Sequence, residues 1–254
     1  MTSTYRAPSQ ALLLTEGPRA GFDFAALLWG WPWLWNAPRG DGHPVLVLPG
    51  LLTGDPSTLL LRRFLQALGH NVSGWSLGTN RGPNGHIVKE LRAKLDRLRH
   101  DSGRRVSLVG WSLGGLYAQE LARAAPGSVR RLITLGTPLL GRNVWTQSGS
   151  RIADRFTNLP VAASLLPRPW AEPGSLRVPA TSVYTRADGI VAWSSCRYQA
   201  RPRRENVEVR GSHLGLALNP AVLWVLADRL GQAEGKWKRS RPPLMLSPFF
   251  PRRR

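Results

Sequence analysis

The stretch "SLVGWSLGGLYAQELARAAP" (107–126) decides how this chain is read, because it runs from an apolar segment through a glycine-flanked serine into a helical pattern. Ser112 has Gly110 two residues before it and Gly114 two after. A Gly-x-Ser-x-Gly string arises by chance in roughly one chain in ten of this length, given ordinary glycine and serine usage. Context carries the weight: the motif requires a strand before the serine and a helix after it, and both patterns are present. A sharp strand-to-helix turn strains the serine backbone and tolerates no bulk at the −2 and +2 positions, a condition that Gly110, Gly114 and Gly115 meet. The turn also aims the hydroxyl out of the sheet, at the positive end of the following helix.

Around this corner, residues 43–232 alternate short β-rich runs with helical patterns, which predicts a mostly parallel sheet with helices on both faces. Strands are expected at 43–50, 70–78, 104–110, 129–138, 180–186 and 205–211. Helices are expected at 56–69, 84–100, 113–124 and 219–231. In the second of these Ile87, Leu91, Leu95 and Leu98 recur at three- and four-residue steps, with basic residues on the other face. The alternation fails over 139–177, which reads as a cap-like insertion containing Trp145 and Trp170. Residues 1–42 form a Trp-rich amino-terminal segment, and 233–254 a basic, proline-rich extended tail.

A serine hydroxyl is a weak nucleophile unless a base takes its proton and a third group orients that base. Of the five histidines, His43 precedes the first strand, His70 opens a strand at the sheet's other end, and His86 and His100 belong to the charged helix. His213, in "VEVRGSHLGLALNP", lies beyond the last strand's carboxyl end, where the active sites of parallel sheets gather. The carboxylates between Ser112 and His213 are Glu120, Asp154, Glu172, Asp188, Glu205 and Glu208. Asp188, in "TRADGIV", also follows a strand directly and precedes a glycine. A turn aspartate explains Asp-Gly by itself, but its place between the other two favours the orienting role. An oxyanion would be met by the N–H of Leu113, just after the nucleophile, and by that of Leu51 in the loop "LPGLLTGD", which Gly50 frees to turn.

Composition narrows the classes. The chain of 254 residues is 42% hydrophobic and 20% charged, a globular balance. Its lone cysteine, Cys196, excludes an intramolecular disulfide and the common zinc clusters, and no metal is expected. The formal charge is +20, and all but four of the 35 basic residues are arginines. That charge reads first as a bias toward arginine scattered over a solvated surface, and as the alternative it suits an anionic membrane surface as a peripheral partner. No recognisable nucleic-acid module accompanies it, so a nucleic-acid partner is not expected. The apolar run before Glu16 is too short for a signal sequence, and Asp23 and Pro32 interrupt the segment 22–35, which is shorter than a membrane span. The expected location is cytoplasmic, with peripheral membrane association as the alternative.

The order oxyanion loop, serine, aspartate, histidine, each after its own strand, resembles the α/β-hydrolase superfamily over residues 43–232. "GWSLGG" resembles its nucleophile elbow, "TRADGIVAW" its acid loop, and "GSHLGLALNPAVLWVLADRL" its histidine loop and final helix. The last two are similar to a branch of bacterial esterase- and lipase-like hydrolases. The resemblance implies hydrolysis of a carboxylic ester, small or lipid, through an acyl-enzyme and without a cofactor. Two departures stand out: Pro49-Gly50 replaces the His-Gly of many lipases, and residues 1–42 do not read as a β-hairpin, so a shortened sheet of about six strands is expected. An acyltransferase, a thioesterase or an amidase would use the same triad, and a basic membrane- or nucleic-acid-binding protein would keep the scaffold without the chemistry.

Overall fold

The apolar runs become strands whose side chains alternate between two cores. The computed structural model describes residues 7–139 and 176–251; nearly all of the 139–177 insertion, with Trp145, Asp154, Trp170 and Glu172, lies outside the described residues. Six strands, β1 (Pro44–Leu48), β2 (Asn71–Ser73), β3 (Val106–Trp111), β4 (Val129–Leu135), β5 (Ala180–Tyr184) and β6 (Arg204–Glu208), form one sheet in the order β2-β1-β3-β4-β5-β6. Every pairing is parallel, with Leu48 opposite Gly110 and Gly110 opposite Thr134. β1, β3, β4 and β5 are buried along their whole length, as a sheet covered on both faces demands.

Val45, Val47, Val109, Ile133 and Val183 point to one face, against Leu27 and Leu34 of α2 (Glu16–Leu34), Leu61 and Leu65 of α3 (Leu59–Ala67), and α6 (Pro220–Leu230). Leu46, Leu48, Leu108 and Leu132 point to the other, against Leu91 and Leu95 of α4 (Gly85–Ser102) and Leu116 and Leu121 of α5 (Leu113–Ala124). Caps fix the helix ends: Asn84 accepts from the Ile87 N–H, Asn219 from those of Ala221 and Val222, and Gly103 closes α4 in the left-handed conformation. A short helix α1 (Gln10–Leu14) precedes α2.

Two expectations are corrected. The strand expected at 70–78 stops at Ser73. Beyond it the Asp55 carboxylate takes the N–H groups of Trp75 (2.7 Å) and Ser76 (2.8 Å), so this backbone leaves the ladder for a side chain. The tail is not extended throughout: Leu244–Phe249 coil into a 3-10 turn, and Leu246 and Phe250 join the α2–α6 core.

The chain leaves β1 for α3 on one face and β3 for α5 on the other. The strand order therefore reverses between β1 and β3, and a crevice opens there at the strands' carboxyl ends.

Candidate active site

The loop after β1 and the corner after β3 meet in this crevice. Ser112 caps α5 with φ 52° and ψ −120°, a conformation that costs a non-glycine residue about 1–3 kcal/mol and persists only when its surroundings impose it. Those surroundings are close-packed backbone. A Cβ on Gly114 would lie 2.3 Å from the Leu48 carbonyl oxygen, and one on Gly110 would lie 2.4 Å from the Gly114 carbonyl oxygen. The Ser112 N–H donates to the Leu135 carbonyl (2.8 Å), and its carbonyl accepts from Thr137 Oγ1 (2.9 Å). The side of Gly50 faces Ser112, with a Cβ there standing 3.4 Å from Ser112 Cβ.

Asp188 and His213 are brought together. Asp188 Oδ2 and His213 Nδ1 are 2.6 Å apart, and both residues are buried. Asp188 Oδ1 accepts from the N–H groups of Ile190 (2.8 Å) and Val191 (2.6 Å), which fixes the carboxylate plane. An ionised carboxylate facing Nδ1 assigns the proton to that nitrogen and leaves Nε2 as the basic one. Burial pulls the His213 pKa down, but the Asp188 charge and hydrogen bond, with the charge of Glu16, outweigh it and hold the pKa above the ordinary imidazole value. The ring lies over Gly136, the residue after the Leu135 that holds Ser112, and Trp111 Nε1 donates to the His213 carbonyl (3.1 Å). The Ser112 corner and the histidine thus share neighbours on β3 and on the end of β4.

The loop 49–53 is pinned from outside. Asn80 accepts the Leu52 N–H at its carbonyl (2.7 Å), donates its own N–H to the Thr53 carbonyl (2.8 Å) and donates Nδ2 to the Pro49 carbonyl (3.1 Å). Among the described residues, neither the Leu51 N–H nor the Leu113 N–H has a protein acceptor. His43 and His70 lie at the amino end of the sheet, stacked edge-on at 4.8 Å, and His86 and His100 are exposed on α4. Glu205 is engaged by Arg229 and Glu208 by Arg186, which leaves Asp188 as the acid beside His213. Cys196 is fully buried, and its thiol is pushed up by that burial and by the Asp188 charge.

Two further residues organise the site, and the reading of the sequence missed both. Glu16, at the start of α2, is buried and accepts from the N–H groups of Gly189 (2.7 Å), His213 (3.2 Å) and Leu214 (3.0 Å) and from Arg19 (2.8 Å). One carboxylate therefore ties the acid loop to the histidine loop. Asp23 accepts from the Ser212 N–H (2.9 Å) and hydroxyl (2.7 Å) and from Asn219 Nδ2 (2.8 Å). Only glycine fits at 215, where a Cβ would stand 2.1 Å from Asp23 Oδ2. The available signal was their spacing. Glu16 and Asp23 lie seven residues apart on the stripe that Leu27, Gly30 and Leu34 continue, and a carboxylate on a buried stripe needs partners.

No protein-family model and no curated protein sequence matches the chain. Solved structures do. Mouse α/β-hydrolase domain-containing protein 10 is similar with a TM-score of 0.55 at 18% identity, over 75% of this chain and 88% of that one. A Bacillus licheniformis lipase in its mature form is similar with a TM-score of 0.54 at 17% identity, over 77% of this chain and 94% of that one. Aspergillus fumigatus lipase B is similar with a TM-score of 0.55 at 17% identity over 76% of this chain, which spans 53% of that lipase. Identities this low speak for the fold alone. The six-stranded parallel sheet, covered by helices on both faces, is the α/β-hydrolase fold.

Proposed function

We propose that the chain is a serine hydrolase of carboxylic esters, of the esterase and lipase type, working through an acyl-enzyme. The observations that carry this reading are the buried 2.6 Å Asp188–His213 contact and a serine held at φ 52° on a strand-to-helix corner whose neighbours Trp111 and Gly136 also meet His213. Ser112 Oγ attacks the ester carbonyl as its proton passes to His213 Nε2. Asp188 holds the tautomer and stabilises the imidazolium. The oxyanion is received by the Leu51 and Leu113 N–H groups, and His213 returns the proton to the departing alkoxide. Water, activated by the same histidine, then attacks the acyl-Ser112 carbonyl and releases the acid. No step calls on a cofactor.

A specific observation favours esters presented at a lipid surface. The outer side of α2 carries Phe22, Phe24, Leu28, Trp29 and Trp31, and Trp35 caps its end, all exposed, while the charged Glu16, Arg19 and Asp23 are turned to inward partners. Aromatic residues on an amphipathic helix suit the interfacial layer of a bilayer. Among the described residues no helix is long and apolar enough to cross a membrane. The formal charge of +20 opposes a second copy of the chain on this face and attracts anionic headgroups.

The test is labelling with a fluorophosphonate, followed by a series of p-nitrophenyl esters of increasing acyl length. Covalent mass on Ser112 with ester turnover is expected. An unlabelled Ser112, or turnover kept by Ser112→Ala, sinks the proposal. Acyl transfer to an added alcohol in preference to water would instead make the enzyme an acyltransferase.

A further inference from the structure

At the amino ends of β4, β5 and β6, opposite the candidate active site, the fold forms a partly open cavity of about 260 Å³. Its wall holds Arg105, Arg130, Arg131, Arg177, Arg203 and Lys236, with the Trp237 indole beside them. Glu234 is the one carboxylate in that lining, and it is already paired with Arg105. The strand length, six residues in β3, separates this cavity from Ser112 by about 20 Å.

Arg130 and Arg131 are the second and third residues of β4 and are more than nine-tenths buried. Arg130 Nη2 donates to the Gln232 carbonyl (2.6 Å), and Arg131 donates Nη1 to the Arg229 carbonyl and Nη2 to the Gln232 carbonyl (3.1 Å). These acceptors lie in and just past the last turn of α6, where the helix dipole offers partial negative charge but no full counter-charge. Asp41, 3.8 Å from Arg130 Nη1, is shared with His43 and Arg104. Nε and Nη1 of Arg130 and Nε of Arg131 remain buried without a hydrogen-bond partner among the described residues. Arg229 shows how the same fold treats a buried arginine whose counter-ions it supplies itself, with Glu205 at 2.9 Å and Asp228 beside it.

We propose that this cavity binds a phosphate-bearing ligand, its oxyanions held by Arg130 and Arg131 from within and by Arg177, Arg203 and Lys236 at the mouth. Buried polar groups are satisfied as a rule, so guanidinium N–H groups at a pocket wall with no partner among the described residues favour an anion there. Several cations against one engaged carboxylate call for more than one negative charge. Forked guanidinium donors match phosphate oxygens two at a time. The site owes nothing to the ester chemistry, so either proposal can fail alone.

The experiment is calorimetric titration of the full chain with inorganic pyrophosphate at fixed ionic strength, alongside its thermal unfolding. A saturable one-site isotherm and a raised Tm are expected, since a ligand of the folded state alone stabilises it. Arg131→Gln should weaken binding at least about tenfold, the loss of a charge-assisted hydrogen bond. Because that residue is buried, the exposed pair Arg177→Ala and Arg203→Asn provides a second variant. Asparagine tolerates the left-handed backbone at Arg203 (φ 58°), and at least about fivefold weaker binding is expected with ester turnover unchanged. Phosphatidic-acid vesicles identify the source: competition between vesicles and pyrophosphate assigns a lipid headgroup, and saturable pyrophosphate binding without competition assigns a free phosphate compound. A non-saturable titration, an equal Tm rise from sodium chloride, or unchanged affinity in the exposed variant overturns the proposal.

Discussion

Ser112, Asp188 and His213 each follow a strand's carboxyl end, and the chemistry proposed for them depends on which nitrogen of one imidazole stays basic. With Nδ1 turned to Asp188, the His213 base must be neutral to take the serine proton. Its pKa is raised above the ordinary value, because carboxylate charge outweighs burial. The rising limb of kcat/KM should therefore lie above pH 6.5, with activity lost as pH falls through it; a pH–rate profile on a soluble ester measures this. Asp188→Asn should lower kcat by about four orders of magnitude, through the wrong tautomer, while circular dichroism stays native. Gly110→Ala should destabilise the fold outright, since its methyl group would sit 2.4 Å from backbone on the first turn of α5; chemical denaturation of the purified variant, or its absence from the soluble fraction, reads this out.

At the scale of elements, α2 has two faces with different tasks. The inner one holds the histidine loop through Glu16 and Asp23, so the site depends on a helix far away in sequence. Glu16→Gln removes a buried charge from Arg19 and from three backbone donors. A loss of roughly 3 kcal/mol, on the order of 10 °C in Tm, is expected. The same variant should move the rising limb of kcat/KM to lower pH, because one of the charges that raise the His213 pKa is gone; a merely structural glutamate would leave the limb in place. The outer face calls for a different experiment. Combining Phe22→Ser, Leu28→Ser and Trp35→Ser, all well exposed, should abolish sedimentation with anionic vesicles and leave hydrolysis of a water-soluble ester unchanged.

Across the whole molecule, the candidate active site and the buried His43–His70 pair lie at opposite ends of the sheet. At the amino end, burial lowers the pKa of both His43 and His70 to about 4, assisted by the Arg130 charge and resisted by Asp41. Between pH 6.5 and 4 the unfolded chain binds protons that the folded chain refuses, so stability falls as pH falls across that window. The contribution is at most roughly 3 kcal/mol per histidine. Urea unfolding at pH 7.5 and 4.5 should show the loss, and His70→Phe should flatten the dependence. The arginine pair beside these histidines gives that end of the sheet its positive field.

What the sequence determined by itself was local. Alternation and short apolar runs gave strands close to their observed positions, and two glycines around a serine marked the corner, because these patterns are set by neighbours within a few residues. Asp188 and His213 were legible as residues beyond strand ends, but their 2.6 Å contact was not. The tertiary structure alone decided the roles of Glu16, Asp23 and Asn80, the seating of Leu246 in the core, and the burial of three Arg130 and Arg131 nitrogens that lack a hydrogen-bond partner among the described residues. Each depends on groups brought together from distant parts of the chain. A buried carboxylate or guanidinium is defined by the partners that surround it, and sequence spacing carries no record of them.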